Sequence, residues 1–318
     1  MNDRPIVLVT GATGFVGRHL SPLLESNGWT VRAAVRRPSG LNEVMVDSIG
    51  PDTNWQAALA GIDVVVHLAA RVHHPNDRDA EQLYHDLNVG GTLRLARSAV
   101  EAGVKQFVFA STALVFGCNN DGRPPFNEDD VLTPHSPYSR SKVEAEAGLK
   151  SLAQGHTMGV TVVRPPLVYG AGAKGNFALL VRAAKVGVPL PFAAIRNRRA
   201  FVSVQNLASF IASRLSASSG GFDVFLVADA EQVSTPEFFT RLAKAAGRKA
   251  RLFPVPEPLL GSLLTLSRRP DARQSLIGSL ELNITKALST GWRPPLTLDE
   301  GLRLALSEPG AQDAPLLD

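Results

Sequence analysis

The stretch VTGATGFVG, from Val9 to Gly17, places glycines at 11, 14 and 17 directly behind the aliphatic run Ile6–Val9. An apolar run closed by glycine reads as a buried strand. Phe15–Asn27 has helical spacing and stops at Asn27-Gly28, a helix-end signal. A strand that passes through a glycine-rich turn into a helix limits what the chain can be. The helix start offers N–H groups with no intrahelical partner and a partial positive charge, which suits a phosphate. In such a turn Gly11 permits the tight bend, Gly14 lets the backbone approach a pyrophosphate, and Gly17 lets helix and strand pack closely. Thr13, Phe15 and Val16 share the turn and are assigned to the same cofactor contact. The spacing is GxxGxxG rather than GxGxxG, and a ligand-free turn has the same composition. Position in the chain must therefore decide.

That position is the first strand–helix junction of an alternating pattern. Thr30–Arg36 and Val64–His67 read as strands, Ala80–Ala102 as one long helix closed by Gly103, Gln106–Ser111 as a strand, Tyr138–Gln154 as a helix and Val160–Arg164 as a strand. Alternation of this kind predicts an α/β fold, a Rossmann-type doubly wound parallel sheet. After Arg164 the texture changes, with Pro165, Pro166, Gly170, Gly172 and Gly175 breaking the rhythm. The expected organisation is a dinucleotide-binding domain over 1–165 and a smaller, mainly substrate-binding α/β domain over 166–318. The chain is expected to return to the first domain at about 200–230, where Phe201–Val204 and Phe222–Val227 look like strands around a helix.

Composition narrows the function. Apolar residues make up 44% of the 318, enough for a sizeable core, and the formal charge is only +4. So mild an excess does not mark a nucleic-acid binder, whose basic residues cluster strongly, and it suits an anionic small ligand. The opening MNDRPIVLVTG carries no secretory signal, and Leu259–Leu266 is far shorter than the ~20 residues of a spanning helix. Cys118 is the one cysteine, so no internal disulfide forms. The expectation is a cytoplasmic protein with no membrane partner. No metal-ligand cluster is visible, and the last residues, Glu308–Asp318, read as a loose tail.

Two further features carry chemistry. In a dinucleotide site an acid about 20 residues past the glycines holds a ribose 2′-hydroxyl. Here Arg36, followed by Arg37, stands 19 residues beyond Gly17. Arginine grips a 2′-phosphate through forked, charge-assisted bonds, so NADP(H) is favoured and NAD(H) remains possible. Asp47 and Ser48 follow the third strand, near the expected adenine. In Tyr138-Ser139-Arg140-Ser141-Lys142 the tyrosine and lysine share one helix face. A free phenol titrates near 10, and a neighbouring ammonium together with an oxidised nicotinamide would favour the phenolate and bring it into acid/base range. Thr112 follows the fifth strand, on the side where such sheets bind ligands. Its hydroxyl is placed to bond the same substrate oxygen.

TGATGFVG, His67-Leu68-Ala69-Ala70, Asn88-Val89-Gly90-Gly91-Thr92, Ser111-Thr112-Ala113, YSRSK and Arg164-Pro165-Pro166-Leu167-Val168-Tyr169-Gly170 occur in the order of the extended short-chain dehydrogenases/reductases. Over nearly its whole length the chain resembles, within them, the NAD(P)-dependent epimerase/dehydratase group acting on nucleotide sugars. The resemblance implies that Tyr138 is the acid/base, that Lys142 binds the nicotinamide ribose and tunes Tyr138, and that Thr112 polarises the substrate. It implies that Ala69 and Ala70 line the cofactor channel and that Asn88 supports the site. Asn176, Arg199 and, more weakly, Arg273 match positions that contact a UDP-sugar diphosphate. Asn176 is also placed to cap a helix, and Ala200 departs from the family's acid after Arg199. A homodimer through the two long helices is implied as well.

Among the reactions of the group, dehydration is disfavoured, because Ala113 and Leu114 follow Thr112 where an acid is needed. The C-terminal segment from Gly278 to Leu302 resembles reductases of UDP-4-keto-6-deoxy-hexosamines. Reduction of a C4 keto group with NADPH is therefore the leading expectation and 4-epimerisation with tightly held NAD the alternative. A non-catalytic NADP(H) sensor is a third reading, weakened because both Tyr138 and Lys142 are present.

Overall fold

The computed structural model describes residues 4–72, 80–216, 220–266 and 276–307. The main sheet holds β1 (Ile6–Thr10), β2 (Thr30–Val35), β3 (Glu43–Met45), β4 (Val64–His67), β5 (Gln106–Ala110), β6 (Gly159–Arg164) and β9 (Phe222–Leu226). Their spatial order is β3-β2-β1-β4-β5-β6-β9, and every neighbouring pair is parallel. Strands covered on both faces read as continuous aliphatic runs, which is why Val64–Val66 and Val160–Val163 look as they do. Successive residues of β1 divide between two cores. Val7 and Val9 join Leu20 and Leu24 of helix α1 (Phe15–Ser26) and Phe210 and Ile211 further along. Leu8 joins Phe107, Leu95 and Leu149 on the other face.

After α1 come α2 (Gln56–Leu59), α3 (Ala80–Tyr84), α4 (Thr92–Glu101), α5 (Pro137–Gly155), α6 (Asn176–Val186), α7 (Val204–Leu215), α8 (Thr235–Ala245) and α9 (Glu257–Leu266). The single helix expected over Ala80–Ala102 is interrupted. Between α3 and α4, His85–Gly91 forms a π-helical segment, a widened turn often found at functional sites.

A second, two-stranded parallel ladder pairs β7 (Leu167–Tyr169) with β8 (Phe201–Ser203). Its core includes Tyr169, Phe177, Phe201, Phe238 and Leu302, drawn from these strands, α6, α8 and the helix Leu298–Leu306. Of the two strands expected around the return of the chain, Phe222–Leu226 joins the main sheet beside β6, whereas Phe201–Ser203 pairs with β7. Strand order reverses between β1 and β4, and in open parallel sheets the crevice at the carboxyl ends of such a pair is where ligands bind.

Candidate active site

The glycine turn lies in this crevice. Gly11 has φ +72°, and a Cβ there would meet the Ala69 backbone nitrogen at 2.9 Å, so the turn packs on the chain leaving β4. A Cβ on Gly17 would fall 2.3 Å from the Gly11 carbonyl oxygen. Any larger residue would push α1 off its strand. Around Gly14 the only contact so close is the Gly11 carbonyl oxygen, at 3.0 Å, and no side chain caps the start of α1. Thr13 and Gly14 are exposed, Phe15 and Val16 half-buried. The turn therefore fits a dinucleotide pyrophosphate: small where backbone must approach, and open where the helix presents its N–H groups.

A buried chain of hydrogen bonds joins this turn to the sheet. The Ala69 N–H donates to Thr10 Oγ1 (3.3 Å), Thr10 Oγ1 bonds His67 Nδ1 (2.7 Å), and His67 Nε2 bonds Thr92 Oγ1 (2.9 Å). Burial, with the nearby Lys142 charge, pushes the His67 pKa down to about 3, so the ring is neutral. A neutral ring has one N–H and one bare nitrogen, so His67 donates to one of the two threonine hydroxyls and accepts from the other. His67 was quoted in a motif but given no role. Its partners come from β1 and α4, 57 and 25 residues away, which no spacing reveals.

The proposed acid/base residues meet at the end of β5. Ser136 caps α5 in a reciprocal box with Ser139, and proline follows at the first helical position. This fixes Tyr138 in the first turn, half-buried, with Lys142 one turn on and fully buried. Lys142 Nζ donates to the Ala110 carbonyl (2.8 Å), lies 4.4 Å from the Phe109 ring centre and 6.0 Å from that of Tyr138. Thr112, two residues past β5, is buried and accepts the Leu114 N–H at 3.2 Å.

Without a nicotinamide, burial governs the protonation balance. Burial first, then the neighbouring Tyr84, raises the Tyr138 phenol above its ordinary value. Burial lowers Lys142 to about 7 against the opposing pull of Glu146. Desolvation thus dominates both groups, and the lysine alone does not make Tyr138 acidic.

Asn88, in the π-helical segment, is 1% exposed and fully engaged. Its Oδ1 accepts the Arg71 N–H (2.8 Å), and its Nδ2 donates to the Arg71 carbonyl (3.2 Å) and to Ser141 Oγ (2.9 Å). Ser141 in turn donates to the Tyr138 carbonyl at 2.8 Å. Asn88 thus ties the loop after β4 to α5, and both amide protons are spent on the protein. Below Lys142, a buried Arg164–Glu146 pair (2.6 Å) with Ser111 bonded to Glu146 links β6, α5 and the end of β5. Sequence reasoning assigned none of these three a role.

Other assigned residues are more open. Arg36 and Arg37 are exposed just past β2, and no ion pair among the described residues engages them. Asp47 and Ser48 are exposed beyond β3, and Ala69 and Ala70 are half-buried beyond β4. Asn176 is the first residue of α6 and exposed. Gly175 holds the cap position with no side-chain bond, so Asn176 does not cap. Arg199 is buried, donates to the Gly278 carbonyl at 2.5 Å, and is lowered to about 10 by burial despite Asp121. Arg273, with the tail Glu308–Asp318, lies outside the described residues. Among the described residues no group of His, Cys, Asp or Glu has the form of a metal site.

With this geometry in place, residues 7–228 match the family model described as NAD dependent epimerase/dehydratase family. The chain belongs to that family. It is 38% identical over 308 residues to a UDP-glucose 4-epimerase of Vibrio cholerae, covering 93% of each chain. It is 28% identical to the GDP-6-deoxy-D-mannose reductase of Pseudomonas aeruginosa, covering 95% and 96%. The solved structure of MoeE5 in complex with UDP-glucuronic acid and NAD superposes with a TM-score of 0.75 at 29% identity, covering 94% of this chain and 96% of that one. Family members thus include NAD(P)-dependent epimerases and reductases of nucleotide sugars on a Rossmann-type sheet, and this chain is an enzyme of that extended short-chain dehydrogenase/reductase type.

Proposed function

We propose that this enzyme reduces the C4 keto group of a UDP-linked hexosamine or 6-deoxy-hexosamine, with NADPH favoured and Tyr138 as acid/base. The supporting observation is the meeting of Tyr138, Lys142 and Thr112 at the carboxyl end of β5, beside the crevice that holds the glycine turn. The nicotinamide, when bound, supplies the hydride. Gly11, Thr13, Gly14, Phe15, Val16 and Gly17 would hold the pyrophosphate side of the dinucleotide, and Arg36 and Arg37 would take its 2′-phosphate. Tyr138 gives its proton to the sugar oxygen, and a phenol kept protonated by burial is the form needed for that direction. Thr112 directs the same oxygen. Lys142, one turn along α5 from Tyr138, would hold the nicotinamide ribose and tune the phenol. Asn176 and Arg199 serve the substrate diphosphate. Residues 1–165 act as the dinucleotide unit and 166–318 mainly as the substrate unit of a cytoplasmic homodimer.

A second reading, 4-epimerisation with retained NAD, is favoured by the 38% identity to the Vibrio cholerae enzyme. The two separate on a panel of UDP-hexoses and UDP-4-keto-hexoses with NADH or NADPH added. Loss of reduced-nicotinamide absorbance in step with a 4-keto sugar supports reduction. Sugar inversion with no net cofactor change supports epimerisation. Neither reaction with any UDP-sugar would overturn both.

A further inference from the structure

Away from the crevice, α6 and the chain after α8 build a surface of unusual composition. Residues 170–198 contain no acid, and over 242–266 the single acid is Glu257, whose carboxylate accepts the Arg196 N–H at 3.2 Å. The two segments lie side by side. The Leu190 N–H donates to the Arg251 carbonyl (2.9 Å), the Phe253 N–H to the Leu190 carbonyl (3.0 Å), and α6 packs on α8. Leu180, Leu190, Leu252 and Leu260 share one core cluster beneath them. Outside that cluster, Leu179 and Val186, seven residues apart on one face of α6, are 55% and 69% exposed. Phe253 is 45% and Leu259 54% exposed.

The cations Arg182, Lys185, Lys244, Arg248, Lys249 and Arg251 are carried on the same segments, all exposed. Ion pairs among the described residues engage none of them. This concentration is local, because the whole chain has a formal charge of only +4. Large exposed apolar side chains on the same two segments as exposed cations that form no ion pair suit a surface that is itself apolar beneath an anionic layer. A nucleic acid would use the cations but not Val186 or Phe253. A second copy would bring the same positive charge against itself. No helix among the described residues is long and apolar enough to cross a membrane, so the contact is peripheral.

We propose that the face formed by α6 and residues 244–259 docks this enzyme on anionic lipid membranes. Cations there hold the acidic headgroups, while Val186 and Phe253 enter the acyl boundary. This surface does not depend on the reaction assigned above: Leu179, Arg182, Lys185, Val186 and residues 244–259 have no role in it, and Asn176, at the start of α6, is not among the side chains that meet the lipid.

The test is co-sedimentation of the full chain with vesicles of phosphatidylcholine alone or mixed with phosphatidylglycerol, at low and high salt. Binding is expected only to the mixed vesicles and should weaken with salt. Lys249→Glu/Arg251→Glu is expected to weaken it by more than tenfold, since each basic residue near such a surface is worth about fivefold. Val186→Ser/Phe253→Ser should also lose most binding, and both variants should keep the wild-type melting temperature because these side chains are exposed. Three outcomes overturn the proposal: no vesicle binding, binding indifferent to the Val186→Ser/Phe253→Ser change, or a dimer in light scattering that Val186→Asp splits, placing a second copy on this face.

Discussion

Two tyrosines in this molecule sit among buried polar groups and have opposite fates. Tyr169, at the end of β7, is fully buried, and its Oη donates to Asp229 Oδ2 at 2.7 Å. Asp229 also accepts the Ser203 N–H (3.0 Å) and Asn206 Nδ2 (2.7 Å). Every polar atom there has a partner, and the result is a joint between β8, α7 and β7. Tyr138 is half-buried, and its hydroxyl makes no hydrogen bond among the described residues. Burial raises both phenols, Asp229 adding to the effect at Tyr169 and Tyr84 at Tyr138. A raised phenol alone thus does not mark a catalytic group. What separates the two is whether the fold supplies an acceptor or leaves the hydroxyl for a ligand.

The largest expected effect comes from removing the open hydroxyl. Tyr138→Phe should lower kcat by about 10²- to 10⁴-fold, the usual worth of a general acid, with the melting temperature unchanged. A drop in stability with activity retained would reverse the roles assigned to the two tyrosines. At the closed site the reverse holds. Asp229→Ala leaves three buried donors without an acceptor and should cost about 3 kcal/mol in chemical denaturation, with kcat per folded molecule little changed.

Arginines extend the contrast. Arg164 is held by Glu146, while Arg36 stands exposed beyond β2. Arg36→Ala should lower kcat/KM for NADPH by about tenfold, one lost charge-assisted contact, and leave NADH almost untouched. Equal effects on both cofactors would show that Arg36 does not read the 2′-phosphate. Stability against pH separates the buried cation from these exposed ones. The Lys142 pKa is about 7 folded and near 10.5 unfolded. The unfolded chain therefore binds more protons between those values, and stability should rise with pH across that window. Below pH 7 the folded protein bears the full cost of the buried ammonium. Lys142→Met should remove this rise, measurable as the difference between the two urea midpoints from pH 7 to 9.5.

The contrast also tracks what the sequence makes legible. Local patterns announced the sheet and the helices around it, because aliphatic runs and helical periods lie within one segment. The glycine turn and the Tyr138–Lys142 pair were visible for the same reason. What stayed hidden was long-range or geometric. Asn88 reaches Arg71 and Ser141, His67 bridges Thr10 and Thr92, and Arg164 meets Glu146, all by side chains that only the folded sheet brings together. The π-helical turn at His85–Gly91 is invisible to a 3.6-residue period, since it adds backbone without changing which residues are apolar. Phe201–Ser203 reads as a strand, but its pairing with the three residues Leu167–Tyr169 rather than with the main sheet is a long-range choice that no local pattern carries.

The most direct measurement is a crystal structure of the enzyme with NADP and a UDP-linked hexose bound together. The Tyr138 hydroxyl should lie within about 2.6–3.2 Å of the sugar O4, with Thr112 on the same oxygen and the dinucleotide pyrophosphate over Gly14. A phenol turned away from O4, or a dinucleotide bound outside the β1–β4 crevice, would contradict it.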